Sequence, residues 1–94
     1  AIPKESSASE GILDIQTGKV LTVDLTGNKL SITDTKGEKQ NFVLDPNLTT
    51  VWDDTTDEEK ELSDLKVGTD VVVEFKLDND GKKTASWIDL VVRA

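Results

Sequence analysis

The stretch Asp70-Val71-Val72-Val73-Glu74-Phe75-Lys76-Leu77 decides the fold of this chain. Every second residue from Val71 to Leu77 is apolar, and this period of two is typical of a β-strand that buries one face. The stretch is followed by Asp78-Asn79-Asp80-Gly81, a composition that favours a tight turn into a last strand over 83–92. The sequence therefore predicts a β-hairpin at this point of the chain.

Shorter alternations of the same kind fill the first half of the chain, separated by glycine-bearing turns at 26–28 and 35–37. The predicted strands and their inward residues are 19–25 with Leu21, Val23 and Leu25, 29–34 with Leu30 and Ile32, and 39–44 with Phe42 and Leu44. A short extended piece follows at 48–52, and Gly18 is expected to form a bulge or bend. Short strands joined by tight turns are typical of an all-β meander.

The apolar residues of the last strand can be assigned to the inner face in two ways. Either a bulge in its middle or burial of both faces resolves the conflict. One face would carry Ala85, Trp87 and Val91, and the other Ser86, Ile88, Leu90 and Val92. Because the chain has few aromatic residues, we assign Phe42, Phe75 and Trp87 to the core.

The stretch 53–64 carries most of the negative charge. It holds seven of the 19 acidic residues and one of the 11 basic ones, a net charge of −6 out of −8 for the 94 residues. We expect Thr56 or Asp57 to cap a short helix running to Leu62, with the acidic side chains at its positive N-terminal end. Leu62 and Leu65 are spaced to hold this helix against the rest of the domain.

Five or six short strands favour a closed sheet, because open strand edges are a liability. A small OB-like barrel, a five-stranded partly open Greek key, accommodates this count and a helical, acidic insertion after the third strand. An SH3-like barrel is the alternative. We assign residues 11–94 to this single, mainly β domain, and the polar residues 1–10 to a flexible leader from which a signal peptide has been removed.

Composition excludes several functions. The chain has no His and no Cys, which excludes Ser–His and Cys–His catalytic pairs and the usual nitrogen- and sulfur-ligated zinc sites. A net charge of −8 with scattered lysines argues against nucleic acid, and no apolar run reaches the ~18 residues of a membrane-spanning helix. We therefore expect a monomeric protein that is not an enzyme, binds no nucleic acid and inserts into no membrane.

Several turn and core motifs between Gly18 and Val92 occur together in one protein family. The most specific is 62–73, Leu-Ser-Asp-Leu-Lys-Val-Gly-Thr-Asp-Val-Val-Val, in which Thr69 stands where Asp is usual. The others are Gly18-Lys19-Val20, Val23-Asp24, the stretch 28–34, Lys36-Gly37 and Thr49-Thr50-Val51. In these motifs the chain resembles small exported bacterial OB-like β-barrel domains of unknown function. The resemblance implies an OB-like barrel and an extracytoplasmic location, periplasmic or secreted, and it implies no catalytic residues.

The acidic stretch is the candidate site, and it has two functional interpretations. Ca²⁺ takes six to eight oxygen ligands, and the closely spaced carboxylates of Asp53, Asp54, Asp57 and Glu58 would supply several of them. Alternatively, an exposed Trp beside acidic residues suits a carbohydrate or a cationic partner. The partner-binding residues would then be Trp52, Glu59 and Glu61.

We therefore predict a non-catalytic binding module whose partner is a cationic protein surface or a metal ion. One alternative is a structural domain that Ca²⁺ orders through the 53–64 stretch. Another is a carboxylate-pair hydrolase built on Asp53 and Asp54 or on Glu58 and Glu61. A solvated acidic turn without a ligand is the remaining interpretation.

Overall fold

Seven strands follow one another in the part of the chain that the computed structural model describes, residues 12–78 and 80–91. They are β1 (Ile12–Asp24), β2 (Lys29–Asp34), β3 (Lys39–Leu44), β4 (Thr50–Asp53), β5 (Glu58–Lys60), β6 (Asp70–Leu77) and β7 (Lys83–Val91). A 3-10 turn, Leu62–Asp64, lies between β5 and β6. The predicted leader at 1–10 and the predicted strand end at Val92 lie outside the described residues.

The sheet closes on itself. Its strand order is β3-β2-β1-β6-β7-β4-β5, and β3 also pairs in parallel with β7 through Val43 with Thr84 and Leu44 with Ala85. This last pairing joins β1, β2, β3, β7 and β6 into a five-stranded barrel, and β4 and β5 extend it as a hairpin beside the second half of β7. The predicted OB-like barrel with an insertion after the third strand is confirmed.

The core fills the barrel with inward residues from every barrel strand. Two of them, Phe42 and Phe75, pack against each other with ring centroids 5.0 Å apart and planes tilted by 57°. The inward residues predicted for β2 and β3 are buried, as are Val71, Val73 and Phe75 of β6, whereas Leu77 is 38% exposed. The buried apolar residues are Val20, Leu30, Ile32, Phe42, Leu44, Val51, Leu65, Val71, Val73, Phe75, Ala85, Ile88 and Leu90.

The predicted inward face of β1 is wrong at two positions. Leu21 is 40% and Leu25 45% exposed, whereas Val20 is buried and Val23 packs against the core. The reason is a shift in the pairing with β2 between Val20 and Thr22. Such a bulge places one extra residue in the strand and so interrupts the alternation of faces. Leu25 lies beyond the strand, in the turn to β2.

Gly18 marks the point where β1 passes from one neighbour to the other. It pairs with Asp34 of β2 on one side and with Val71 of β6 on the other, in regular register with both. A Cβ at this position would lie 2.3 Å from the carbonyl oxygen of Thr33. Gly18 is therefore not the bulge that the sequence suggested, and the close approach of β2 requires its missing side chain.

The bulge predicted for the last strand is present. Glu74 pairs with Trp87 and Phe75 with Ala85, so Ser86 is the extra residue, and its hydroxyl donates to the carbonyl of Glu74 at 3.1 Å. Ala85, Ile88 and Leu90 are buried on the inner side, and Trp87 is half-buried outside the core cluster. The core assignment of Trp87 is therefore wrong, because the bulge moves this residue to the outer face.

Aspartates at strand ends hold the turns. Five carboxylates accept backbone N–H groups from the turn that follows, each over two to four residues. The donors are Gly27 to Asp24, Lys36 and Glu38 to Asp34, Asn47 to Asp45, Thr55 and Thr56 to Asp53, and Asp80 and Lys82 to Asp78, at 2.8–3.1 Å. These five of the 19 acidic residues thus have a structural role, because their side chains form Asx turns. Within the described ranges no helix has the length and hydrophobicity needed to cross a membrane.

Candidate functional site

The acidic stretch forms a hairpin, so the predicted helix is wrong. β5 pairs antiparallel with β4 through Val51 with Lys60, Trp52 with Glu59, and Asp53 with Glu58. A helix of about five residues has too few internal hydrogen bonds to be stable alone, whereas pairing with β4 satisfies backbone groups at an open strand edge. Leu62 and the buried Leu65 pack against the barrel as expected, from the 3-10 turn that follows.

Asp53 and Asp57 shape the hairpin turn. The N–H of Asp57 donates to the carbonyl of Asp53 at 2.7 Å, and Asp57 takes the left-handed conformation, with φ of 63°. Asp tolerates that conformation better than most residues. Asp57 therefore turns the chain back toward β4. It does not cap a helix, as the sequence suggested.

The Asp53 carboxylate is committed to the same turn. Its Oδ1 accepts the N–H groups of Thr55 at 2.8 Å and Thr56 at 3.1 Å, and the residue is 8% exposed. The Thr56 N–H lowers the pKa of Asp53 most; the Thr55 N–H and the charge of Lys60 also lower it, against a rise from burial. Asp53 is thus an ionised group that stabilises the turn.

The four proposed calcium ligands are spread over this hairpin. Asp53 is buried, while Asp54, Asp57 and Glu58 are exposed. Glu58 lies 3.6 Å from the ammonium of Lys60, from Oε1 to Nζ. In the described residues no three acidic side chains are grouped as a metal site would require. Calcium binding and hydrolysis by carboxylates of this stretch stay predictions. The strand pairing of the hairpin supports neither of them.

Trp52 and Trp87 form an aromatic pair on the outer face of the hairpin and β7. Their ring centroids are 5.8 Å apart and their planes differ by 30°, a stacked arrangement. Both residues are half-buried. Val51 and Asp53 on either side of Trp52 are buried, so the alternation of β4 places Trp52 on the face away from the core. The sequence analysis identified Trp52 as a site residue but missed Trp87, because the bulge at Ser86 was not located.

Carboxylates flank the tryptophan pair. Trp52 pairs with Glu59 of β5 on one side and with Asp89 of β7 on the other. Asp89 accepts the indole N–H of Trp87 at 2.8 Å. Nε1 of Trp52 is buried and has no hydrogen-bond acceptor within the described part of the chain. The face therefore offers two indole rings and two carboxylates.

Glu61, the third predicted partner-binding residue, lies just beyond β5 and is exposed. Its N–H donates to the carboxylate of Asp64 at 2.9 Å, which starts the 3-10 turn. Glu59 and Trp52 thus share a cross-strand pair, whereas Glu61 stands at the end of the hairpin. A role for Glu61 stays a prediction.

Comparison with known proteins identifies the fold. No family model and no curated protein matches the sequence. Among solved structures, Ag(I)-bound CusF superposes with a TM-score of 0.64 at 18% identity, over 85% of this chain and 99% of that one. A tryptophan-to-alanine variant of CusF from Escherichia coli with Cu(II), residues 10–88, gives 0.63 at 18%, over 93% and 100%. Apo-CusF from Escherichia coli, residues 6–88, gives 0.64 at 16%, over 96% and 100%.

These likenesses show a shared small β-barrel, and the ligands named for CusF can be tested against this chain. Ag(I) is a soft ion, and soft ions are held by thiolate and thioether ligands, with imidazole a further donor for copper. The sequence contains no Cys, no Met and no His. The residues present therefore do not fit Ag(I), and the two proteins share the barrel without a shared set of soft-metal ligands.

Proposed function

We propose that this protein is a non-catalytic binding module whose binding surface is the outer face formed by Trp52, Trp87, Glu59 and Asp89. Its partner is the cationic surface of another protein, presenting Arg or Lys side chains. The observation that carries the proposal is the stacked tryptophan pair between two carboxylates. The likeness to CusF, a protein solved with bound metal ions, supports a binding role for the barrel.

The chemistry of the face matches an organic cation. Indole rings attract ammonium and guanidinium groups by about 0.5–2 kcal/mol, depending on desolvation. Arg also stacks on aromatic faces and donates to carboxylates in a planar, paired geometry. A bare metal ion would use the carboxylates but not the rings, and for this reason we favour a protein partner.

The net charge of the hairpin supports the same partner. The stretch 53–64 has a net charge of −6, and Asp54, Glu58 and Glu59 of it are exposed. Clustered charge of one sign raises the rate at which oppositely charged surfaces associate. Salt screens the charge and so reduces this effect. We therefore expect association with a basic protein to weaken steeply as ionic strength rises.

The experiment compares two variants of equal charge. Glu59→Gln removes a carboxylate beside Trp52, and Glu38→Gln removes an exposed carboxylate from the turn before β3, outside this face. Calorimetric titration with tetra-arginine amide is expected to show about fivefold weaker binding for Glu59→Gln, roughly 1 kcal/mol, and little change for Glu38→Gln. Equal weakening in both variants would show a general charge effect and refute the assigned surface.

The proposal includes the extracytoplasmic location and the monomeric state expected from the sequence. Fractionation of cells expressing the full-length gene tests the location, and sedimentation at several concentrations tests the state. Recovery in the cytoplasmic fraction would refute the location, and concentration-dependent dimers would refute the monomeric state. Neither result would decide the binding surface, which the titration tests.

A further inference from the structure

A groove on the side of the barrel collects a large share of the positive charge. It lies on β2, β3 and the start of β7, and its volume is about 550 Å³. Lys29, Lys39, Lys82 and Lys83 line it, four of the 11 basic residues of the chain. Among the described residues that line it there is no Asp or Glu, although acidic residues outnumber basic ones by 19 to 11 in the sequence. The fold thus gathers lysines that are far apart in sequence.

One of these ammonium groups is held in place. Lys83 Nζ donates to Gln40 Oε1 at 2.7 Å and lies 5.0 Å from the ring centroid of Phe42 and 5.5 Å from that of Phe75. Gln40 in turn donates from Nε2 to Asp34 Oδ2 at 2.8 Å, which fixes the orientation of its amide. A charge held in this way loses less side-chain entropy when a ligand binds.

Asp34, the carboxylate of this hydrogen-bond network, is buried and already accepts several hydrogen bonds. Asp34 is 7% exposed, and its Oδ1 accepts the N–H groups of Lys36 and Glu38, both at 2.9 Å. Its pKa is lowered most by the Glu38 N–H, then by Gln40 and also by Lys36, against a rise from burial. Asp34 is therefore linked to Lys83 only through the amide of Gln40.

The floor of the groove is polar. Ser31 and Asn41 are paired across β2 and β3, and the Ser31 hydroxyl donates to Asn41 Oδ1 at 2.7 Å. Phe42 is the aromatic residue among those lining the groove, and it is 2% exposed. The groove thus lacks the exposed ring on which nucleobases stack when proteins bind single-stranded nucleic acid. Its lysine and amide donors suit oxyanions instead.

We propose that this groove binds a small anion carrying two or more phosphate or carboxylate groups. Its volume lies within the range of small-molecule sites, and Lys39 of β3 lines it together with Lys82 and Lys83 at the start of β7. The groove begins at Lys83, at one end of β7, whereas the hairpin pairs with β7 from Trp87 to Leu90. The two proposed sites therefore use different ends of β7 and opposite charges, and the proposal stands independently of the cationic partner.

The experiment uses pyrophosphate as the probe, with calorimetry at low ionic strength and no divalent metal. The groove variant is Lys39→Gln with Lys82→Gln. Its control, Lys36→Gln with Lys66→Gln, makes the same charge change at two exposed lysines that do not line the groove. We expect saturable binding to the wild-type protein, a Kd about tenfold higher in the groove variant, and less than about a twofold change in the control.

Three outcomes would overturn the proposal. The first is no saturable heat with pyrophosphate up to about 10 mM, a concentration that would detect even weak sites. The second is equal weakening in both double variants, which would indicate a general charge effect. The third is binding of a short oligonucleotide without binding of pyrophosphate, which would assign the groove to nucleic acid. Matching melting temperatures of the two double variants would show that neither result comes from unfolding.

Discussion

Trp52 and Trp87 stack across two parallel strands with their ring centroids 5.8 Å apart, and they are the two tryptophans of the chain. Each depends on a different local feature. Trp52 faces outward because its neighbours on β4 are buried, and Trp87 faces outward because of the bulge at Ser86. The pair therefore exists only when the insertion hairpin is docked on β7, and tryptophan fluorescence reports that docking.

Acid is expected to destabilise the protein through Asp34 and Asp53. Turn N–H groups lower the pKa of both carboxyl groups in the folded state, below the value of about 3.9 for an unfolded chain. Each group therefore contributes stability that is fully present above pH ~4 and is lost as the pH falls through the folded-state pKa. Urea unfolding at a series of pH values between about 6 and 2 measures this loss.

A variant at Asp53 tests the contribution of its carboxylate. Asp53→Ala removes the acceptor from the hairpin turn, so we expect a lower melting temperature at neutral pH and a smaller further loss in acid. Asp54→Ala is the control, since Asp54 is exposed and makes no comparable turn contact among the described hydrogen bonds. Identical acid profiles for the wild-type protein and Asp53→Ala would contradict the role given to this carboxylate.

Gly18→Ala is expected to destabilise the barrel by about 1–3 kcal/mol, the usual cost of overpacking. The added Cβ would meet the backbone of Thr33, which cannot move without disturbing β2. Gly27→Ala is the matched control, because its Cβ would meet side-chain atoms of Asp24 and no backbone, with Oδ2 at 2.8 Å and Cγ at 3.3 Å. Denaturant unfolding of both variants measures the difference, and an equal cost for the two would show that the contact at Gly18 relaxes easily.

Ile32→Ala is expected to cost about 2–5 kcal/mol, since it leaves a cavity in the core. Ile32 is fully buried, and its neighbours in the cluster come from several strands. Val67→Ala serves as the control because Val67 is 70% exposed, and surface changes usually lie within about 0.5 kcal/mol. A small loss for Ile32→Ala in urea unfolding would mean that the core is packed differently.

The calcium interpretation is tested by titration of metal-stripped protein, with Mg²⁺ as the control. A ligand that binds the native state raises its melting temperature. Because the Asp53 carboxylate is engaged by turn N–H groups and the remaining acids are exposed, we expect no saturable rise up to millimolar Ca²⁺. A saturable rise specific to Ca²⁺ would instead support the structural calcium domain and assign Asp54, Asp57 and Glu58 a ligand role.

Alternation and turn chemistry were enough to predict the barrel. The period of two in β2, β3 and β6 identified most of their inward residues, and the proline at Pro46 and the glycines at Gly27 and Gly37 marked three of the turns. The pattern failed where a bulge interrupts it, at Leu21, and at Trp87 it left the phase open. A bulge is set by how two strands pair, and that pairing cannot be read from one strand alone.

The site could be located but not described from the sequence. The acidic composition of 53–64 suggested a helix N-terminus, yet the open edge of β4 offered these residues a strand partner, and tertiary pairing prevailed over local propensity. The basic groove was not visible in the sequence, because Lys29, Lys39 and Lys82 become neighbours only when the barrel closes. The pairing of β5 with β4 therefore decides the first feature, and the long-range pairing of β3 with β7 decides the second.

The two indole N–H signals in a ¹H–¹⁵N NMR spectrum show whether the face formed by Trp52, Trp87, Glu59 and Asp89 binds a cationic protein surface. With tetra-arginine amide added stepwise, we predict saturable shifts of both signals. Glu59→Gln should reduce the apparent affinity. If both indole signals stay fixed while the peptide shifts backbone signals elsewhere, the binding surface is not this face and the account is wrong.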